Sequence, residues 1–218
     1  MKLRIPASLT WRAYQSIRDQ IIAGKIDSRE HLTESFFASR LQISKSPIRE
    51  ALNRLEADWL VRIIPRRGVF VCELSIHDVE EIYELREVME ALVVRNAVLD
   101  AAVISRLAQS VDVAAKYLRK KDKVNYIHEE ARFHTLLTQA STNSRLRNFL
   151  EILHDQTAPL RRQAFELTAK HSLRQHTEIL AALNKGQREL AARLMARHIR
   201  TVQERLVEHV TKQEAGIN

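Results

Sequence analysis

The chain has few of the residues that interrupt regular structure. Four glycines in 218 residues is about 2%, against a usual ~7%. Few glycines means few tight turns, which argues against a sandwich, a barrel or a Rossmann sheet. A lone cysteine, Cys72, excludes a disulfide framework and a thiolate metal cluster, and it suits a reducing cytosol. No run of about 18 apolar residues occurs, so no segment reads as membrane-spanning, and the opening MKLRIPASLTWR has no apolar signal core. What is present is 45% hydrophobic and 28% charged residues, the composition of an ordered protein rather than a disordered one. The length suffices for one large domain or two modest ones, with a core to bury.

The net charge of +8 is unevenly spread. Residues 1–74 hold 13 Lys+Arg and 8 Asp+Glu, and residues 75–218 hold 22 and 19. The first third is therefore about three times as basic per residue, which points to an anionic partner for that part. Histidines segregate the other way: only His31 precedes residue 75 and eight follow it. The boundary falls near 72–76, where VRIIPRRGVFV (61–71) reads as a hairpin and Ser75-Ile76-His77-Asp78 reads as a capping box opening a helix. Beyond it the pattern is helical. Val79, Ile82, Leu85, Met89, Leu92 and Val93 recur at three and four, as on the inner face of an amphipathic helix. Breaks at 99–100, 120–123, 141–144, 169–172 and 184–186 divide this part into about six helices, with Pro159 kinking or dividing the fourth.

Residues 11–70 predict a helix from Trp11 to Ala23 stopped by Gly24, and a second from a Thr33 cap to Leu41. A third follows, opened by Ser44-Lys45-Ser46-Pro47, with serine capping and proline tolerated in the first turn. Ile48, Leu52 and Leu55 face inward there, leaving Lys45, Arg49 and Asn53 on the other side. Two helices across a short turn followed by a hairpin spell a winged helix-turn-helix, with the helix-turn-helix at about 33–52 and the wing at about 61–71. A helix in the major groove offers its N-terminal side chains to base edges, so Lys45, Ser46 and Arg49 are candidate DNA contacts. Arg66, Arg67 and Gly68 at the hairpin tip are placed to reach the backbone or minor groove. On pattern alone, a three-helix bundle with a charged surface stays open.

The stretch LTESFFASRLQISKSPIREALNRLEADWLVRIIPRRGVFV resembles the N-terminal domain of GntR-family bacterial transcription regulators over some 60 residues. Two departures stand out: IDSREHL lacks the family's Pro-Gly, and Asp58-Trp59 stands where a Gly usually precedes Leu60. The resemblance implies a DNA-binding domain over 1–74.

In the second part, Glu130 and His134 stand four apart on one face of a predicted helix. His176 opens another (HTEILAALNKG), and His198 lies inside the last. Imidazole and carboxylate converging in a bundle suit zinc, nickel, iron or manganese, although helical histidines are commonly exposed or hydrogen-bonded in a core. Residues 75–218 are similar to the FCD domain, an all-helical sensor of one GntR branch. Glu130-x-x-Phe133-His134 precedes Asn143, taken as ending that helix, and His176 and His198 follow 22 residues apart. Glu130 replaces a more common Asp. This resemblance implies a divalent metal on Glu130, His134, His176 and His198, with zinc foremost and nickel, iron or manganese as alternatives. It also places Arg86 beside a small organic acid effector, where a guanidinium clamps a carboxylate. The residues by themselves leave open an exposed Arg86 paired with Glu90 at i+4. His128, His154, His171 and His209 are assigned to surface or packing.

The expected architecture is mainly α: an N-terminal winged helix-turn-helix and a C-terminal all-α bundle of about six helices, residues 75–218, for effector binding and dimerisation. The expected function is that of a ligand-responsive transcription regulator in the cytoplasm. As a homodimer it reads a palindromic operator on double-stranded DNA, since one helix-turn-helix reads only a half-site. It has no membrane partner and no catalytic residues. Two alternatives are carried. One is an all-α metalloenzyme with a basic appendage, for which Glu151-x-x-His154 is the best support, although H-E-x-x-H, G-x-S-x-G and phosphate-binding loops are missing. The other is a DNA-binding protein whose second domain only dimerises.

Overall fold

A helical text with so few glycines still has to turn, and the turns are made largely by other residues. The structure, a computed structural model, describes residues 8–26 and 32–215. The opening stretch, His31 and nearly all of the loop without Pro-Gly lie outside the described residues. The chain divides into two compact units, Met1–Glu73 and Leu74–Asn218.

The first unit holds α1 (Leu9–Ile22), α2 (Glu34–Leu41), α3 (Lys45–Ala57), β1 (Val61–Ile64) and β2 (Gly68–Val71). Its core is built from Ile17, Ile21, Phe37, Ile48, Leu52, Leu55, Leu60 and Val69, all nearly inaccessible. Ile48, Leu52 and Leu55 sit on the inner face of α3, as their spacing predicts. Arg54 lies over the rings of Trp11 and Tyr14, 4.7 and 4.6 Å from their centroids, and the Tyr14 hydroxyl reaches Asp58 at 2.7 Å, fastening α1 to the end of α3. The hairpin is antiparallel, Val61 facing Val71 and Ile64 facing Gly68. Leu32 adds a bridge to Val69 on the hairpin's other edge.

Thr33 caps α2 by accepting from the Phe36 amide at 3.0 Å. Ser44 precedes α3 in extended conformation, but its side chain makes no capping bond, so the serine cap expected there is not formed. Left-handed residues end the helices. Gly24 follows α1 at φ 58°, but Gln42 and Trp59 take the same conformation after α2 and α3, at 56° and 60°, where glycine is the residue without steric cost.

The second unit contains six helices among the described residues: α4 (Ile76–Asn96), α5 (Ala101–Arg119), α6 (Lys123–Gln139), α7 (Ser144–Gln163), α8 (Phe165–Asn184) and α9 (Arg188–Glu214). The capping box opens α4, with Ser75 and Asp78 each bonded to the other's backbone. Helix α4 packs along α9, α5 along α6, and α8 against both α9 and α5. Leu107, Leu150, Ile179, Met195, Ile199 and Leu206 fill the centre.

Four expectations change here. The break placed at 169–172 occurs instead at Ala164, so α8 runs unbroken through buried Ala169 and Ser172 and His176 lies within it rather than at its start. Pro159 stays inside α7, where it leaves the carbonyl four residues before it without a helical donor, and the helix ends within five residues. Asn143 starts a helix rather than ending one, its side chain accepting from the amides of Arg145 and Leu146 at 3.1 Å each. Finally, Leu85 and Leu92 are not on the inner face of α4. They are 55% and 38% exposed, whereas Arg86 and Glu90 are buried, because the two charges neutralise each other inside the bundle.

Candidate nucleic-acid interface and metal centre

Lys45, Ser46, Arg49 and Asn53 lie exposed along α3, opposite its apolar face. Arg49 is not idle there: its Nε and Nη2 donate to the two carboxylate oxygens of Glu34, at 2.8 and 3.0 Å. This bidentate bond lowers the Glu34 carboxyl below its ordinary value and holds the guanidinium plane fixed at the start of α2. Arg66 and Arg67 are exposed at the hairpin tip. Arg66 takes φ 63° and Gly68 φ 106°, and the Arg67 amide donates to Ile64 O at 3.0 Å. The loop is thus three residues long, and both cations project beyond the strands that carry them.

In the second unit, Glu130 and His134 come from α6, His176 from α8 and His198 from α9, and one ligand atom from each lies within 4.8 Å of the others. The three imidazole Nε2 atoms form a near-equilateral triangle: His134–His176 3.1 Å, His176–His198 3.2 Å and His134–His198 3.3 Å. A cation ~2.0–2.1 Å from each nitrogen sets such neighbours about 3.0–3.4 Å apart, so the triangle has the edge length of a coordination face. The tautomers agree. His198 Nδ1 faces Gln175 Oε1 at 3.0 Å and His134 Nδ1 faces Glu90 Oε2 at 2.5 Å. Both Nδ1 positions therefore donate, leaving lone pairs on the two Nε2 atoms that point to the centre. Phe133 stacks on His176, with ring centroids 4.2 Å apart, and fixes its plane. Glu130 Oε1 lies 3.7 Å from His134 Nε2, while its other oxygen accepts from Arg161 Nη1 at 2.8 Å. The donors present fit a divalent metal.

Electrostatics bear on the same point. Burial opposes ionisation of Glu90 and Glu130. Nevertheless the facing charges of His134, Arg86 and His154 on the first, and of Arg161 and His134 on the second, hold both carboxyls well below their ordinary range. Burial together with neighbouring His134 lowers His198 to about 3, and burial with His198 and His134 lowers His176 well below its usual value. His134 moves up, because Glu90 and Glu130 overcome the effect of burial.

Arg86 is 1% exposed. Its Nε donates to Glu90 Oε1 at 2.9 Å, its Nη1 is 3.5 Å from Thr157 Oγ1, and it covers the Tyr83 ring. The Glu90 pair therefore exists, but inside the bundle rather than on its surface. Three residues that the sequence does not place at the metal centre join this network. Glu90 orients His134. His154, assigned to surface or packing, places Nε2 3.0 Å from Glu90 Oε1. Arg161 holds Glu130. The sequence carried a signal for Glu90, four residues after Arg86, and none for Arg161. The Tyr83 hydroxyl and Arg161 Nε are buried without a hydrogen-bond partner. Glu151 lies on the exposed face of α7, so the pair with His154 does not form a second carboxylate–histidine site. His128 is exposed, and His171 and His209 are half-buried.

Comparison with known proteins places these two sites in two matched regions. Residues 9–71 match the family of bacterial regulatory proteins, gntR family, and residues 81–201 match the FCD domain. The chain is 28% identical over 202 residues to the uncharacterized HTH-type transcriptional regulator YdhC of Bacillus subtilis, covering 90% of each. It is 32% identical over 143 residues to the gluconate operon transcriptional repressor of Bacillus licheniformis, covering 63% of this chain and 57% of that one. A crystal structure of a putative transcriptional regulator GntR from Rhodococcus sp. RHA1 superposes with a TM-score of 0.75 at 26% identity, covering 91% of this chain and 97% of that one.

Proposed function

The chain belongs to the GntR family of bacterial transcription regulators, in the branch with an FCD domain, and we propose that it acts in the cytoplasm as a homodimeric regulator whose operator affinity responds to a small carboxylate metabolite. The metalloenzyme alternative is set aside, since the matched families and relatives are transcriptional regulators. The observation that carries the sensing half of the proposal is the triangle of Nε2 atoms with Glu130, buried beside two guanidinium groups.

Residues 1–74 form the DNA-binding domain in this reading and 75–218 the sensor and dimerisation domain. Lys45, Ser46 and Arg49 meet base edges or phosphates at the start of α3, with Arg66, Arg67 and Gly68 at the wing. Glu34 keeps the Arg49 plane set for a bidentate acceptor, and exchange of that carboxylate for a guanine edge or a phosphate preserves the fork. In the helical domain Glu130, His134, His176 and His198 would hold the metal, which when bound supplies a Lewis-acid point for a carboxylate oxygen. Arg86 and Arg161 supply positive charge beside it. The unpartnered Tyr83 hydroxyl and Arg161 Nε supply donors for further oxygens, which favours a hydroxy acid over a bare monocarboxylate. The B. licheniformis relative is named for the operon of one such acid, gluconate.

An effector changes operator affinity only through different affinities for two arrangements of the protein. The test is fluorescence anisotropy with promoter DNA, titrated with a panel of hydroxy acids in the presence and absence of chelator. The expected outcome is an acid that shifts the operator dissociation constant at least tenfold and loses this effect on chelation. A dimerisation-only second domain gives operator binding that no acid and no chelator alters.

A further inference from the structure

Among the four candidate metal donors, Glu130 is the one that can offer two atoms. Each imidazole has a single Nε2 to give, whereas a carboxylate binds a cation through one oxygen or through both. Glutamate also carries one methylene more than aspartate, so its carboxylate has further to swing. A residue on another helix restrains it. Arg161, on α7 and 9% exposed, donates from Nη1 to Glu130 Oε2 at 2.8 Å, a charge-assisted bond sheltered from water. Its Nη2 reaches the His154 carbonyl at 3.3 Å, which anchors the guanidinium to the backbone of its own helix. The other oxygen, Oε1, lies 3.7 Å from His134 Nε2.

We propose that Arg161 is a positioning residue that restricts Glu130 to one-point ligation, and that it thereby suits the centre to a chelating α-hydroxy carboxylate. Donors about 2.1 Å from a cation are about 3.0 Å apart when adjacent in an octahedron. Three nitrogens 3.1–3.3 Å apart therefore occupy one octahedral face, and the three positions opposite are mutually adjacent as well. Oε1 fills one of them and leaves two. Two adjacent positions are what the carboxylate and hydroxyl oxygens of an α-hydroxy acid take together. A Glu130 bound through both oxygens leaves one position, which accepts a monocarboxylate but no chelate. This role rests on the metal and effector reading given above, and it names the residue that sets how many positions stay open.

Loss of Arg161 removes a like charge from beside the metal and frees Oε2 to join Oε1 on it. Both effects favour the metal, whereas a chelating ligand loses a position. Metal affinity and chelator affinity then move in opposite directions. A collapsed or unfolded centre loses both.

The experiment uses the full chain loaded with Co2+, whose visible spectrum reports ligands that enter the coordination sphere, with loading checked by elemental analysis. Two anions are titrated as probes: acetohydroxamate, which offers two adjacent oxygens, and azide, which offers one nitrogen. Each carries a single negative charge, so the ratio of their dissociation constants cancels the electrostatic share of Arg161. Arg161→Met is expected to bind Co2+ no more weakly than wild type, to keep azide, and to shift the ratio against acetohydroxamate about tenfold or more. Glu130→Gln with Arg161 intact should stay within about twofold of the wild-type ratio, because an amide has one oxygen to give and the site already uses one. Combining the two substitutions should restore acetohydroxamate binding that Arg161→Met alone has lost. If Arg161→Met prevents folding, Glu130→Gln decides by itself: a ratio shifted towards acetohydroxamate means that wild-type Glu130 binds through both oxygens, and it overturns the proposal. An unchanged ratio in a folded Arg161→Met chain, or a double variant that does not recover, overturns it equally. A wild-type chain that takes up no Co2+ sinks the metal reading and this role with it, whereas any of the contrary ratios in a loaded chain sinks this role alone.

Discussion

At the scale of residues, the helical unit contains a set of groups that are mutually intelligible only as a set. Three Nε2 atoms 3.1–3.3 Å apart cannot all be hydrogen-bonded to one another once His134 and His198 have committed their protons to Glu90 and Gln175. A divalent cation would take up these lone pairs. Replacing His134 and His176 together by alanine should strip the purified protein of metal by elemental analysis and abolish the effector response; metal retained at the wild-type level refutes the site. A gentler change acts through orientation. Gln175→Leu removes the acceptor for His198 Nδ1, and competition with a chromophoric chelator should show metal affinity reduced about 10–100-fold.

The metal-free protein should also show a defined acid sensitivity. His154 and His198 have folded values depressed to about 4 and about 3, so the unfolded chain takes up protons first as pH falls. Their contribution is intact above the ordinary histidine value near 6.5 and is lost as pH falls from about 6.5 to 3. His134, raised by its two carboxylates, acts oppositely, adding stability below about 6.5 that fades as pH rises through its folded value. With His154, His176 and His198 depressed against His134 raised, urea denaturation of chelator-treated protein should show stability falling between pH 6.5 and 4. A flat profile there would contradict the assignment of these charges. The four candidate donors were legible because a family pattern singles out a carboxylate and histidine four apart and two later histidines. Arg161 and His154 were not, because their meeting with Glu130 and Glu90 depends on how α7 packs against α6 and α4, and no spacing within α7 encodes that.

At the scale of elements, periodicity and caps fixed most boundaries, and the exceptions have specific causes. On α4 hydrophobicity is not the sign of burial, because a buried Arg86–Glu90 pair displaces Leu85 and Leu92 from the inner face. The division between α7 and α8 falls at Ala164, which has neither the glycine nor the polar cluster that marks a break. Helix termini offer a clean contrast between formed and unformed caps. Thr33→Ala removes a bond that exists and should cost about 1 kcal/mol. Ser44→Ala removes none and should cost under ~0.3 kcal/mol by the same denaturation assay. Equal costs would mean that the two caps are equivalent in solution. Trp59 gives the converse case. A bulky residue at φ 60°, 72% exposed, carries a left-handed strain of roughly 1–2 kcal/mol. Trp59→Gly should therefore stabilise the first unit by about 0.5–1 kcal/mol after the entropy that glycine adds to the unfolded chain.

At the scale of the whole molecule, the uneven charge noted in the sequence becomes a statement about how the protein finds its target. The first unit carries most of the excess cation, and among its exposed basic groups Lys45 and Arg49 stand at the start of α3 and Arg66 and Arg67 at the tip of the wing. Binding that neutralises phosphates releases counterions, so log K falls linearly with log salt at a slope of about −0.9 per phosphate contact on duplex DNA. Arg67, exposed at the hairpin tip, is a phosphate or minor-groove contact in this reading. Arg67→Gln should lower the magnitude of that slope by about one unit per half-site, with little change in preference among operator sequences. Arg49→Gln should behave differently. If Arg49 reads a base edge, its loss reduces the gap between operator and unrelated DNA by about 1–3 kcal/mol per half-site, and the Glu34 carboxylate it leaves behind adds repulsion to every sequence alike. Measuring both variants on operator and on scrambled duplex, each across a salt series, separates the two roles. An Arg67 variant with the wild-type slope removes the wing from the interface, and an Arg49 variant that loses affinity equally on both duplexes removes the base-reading role from α3.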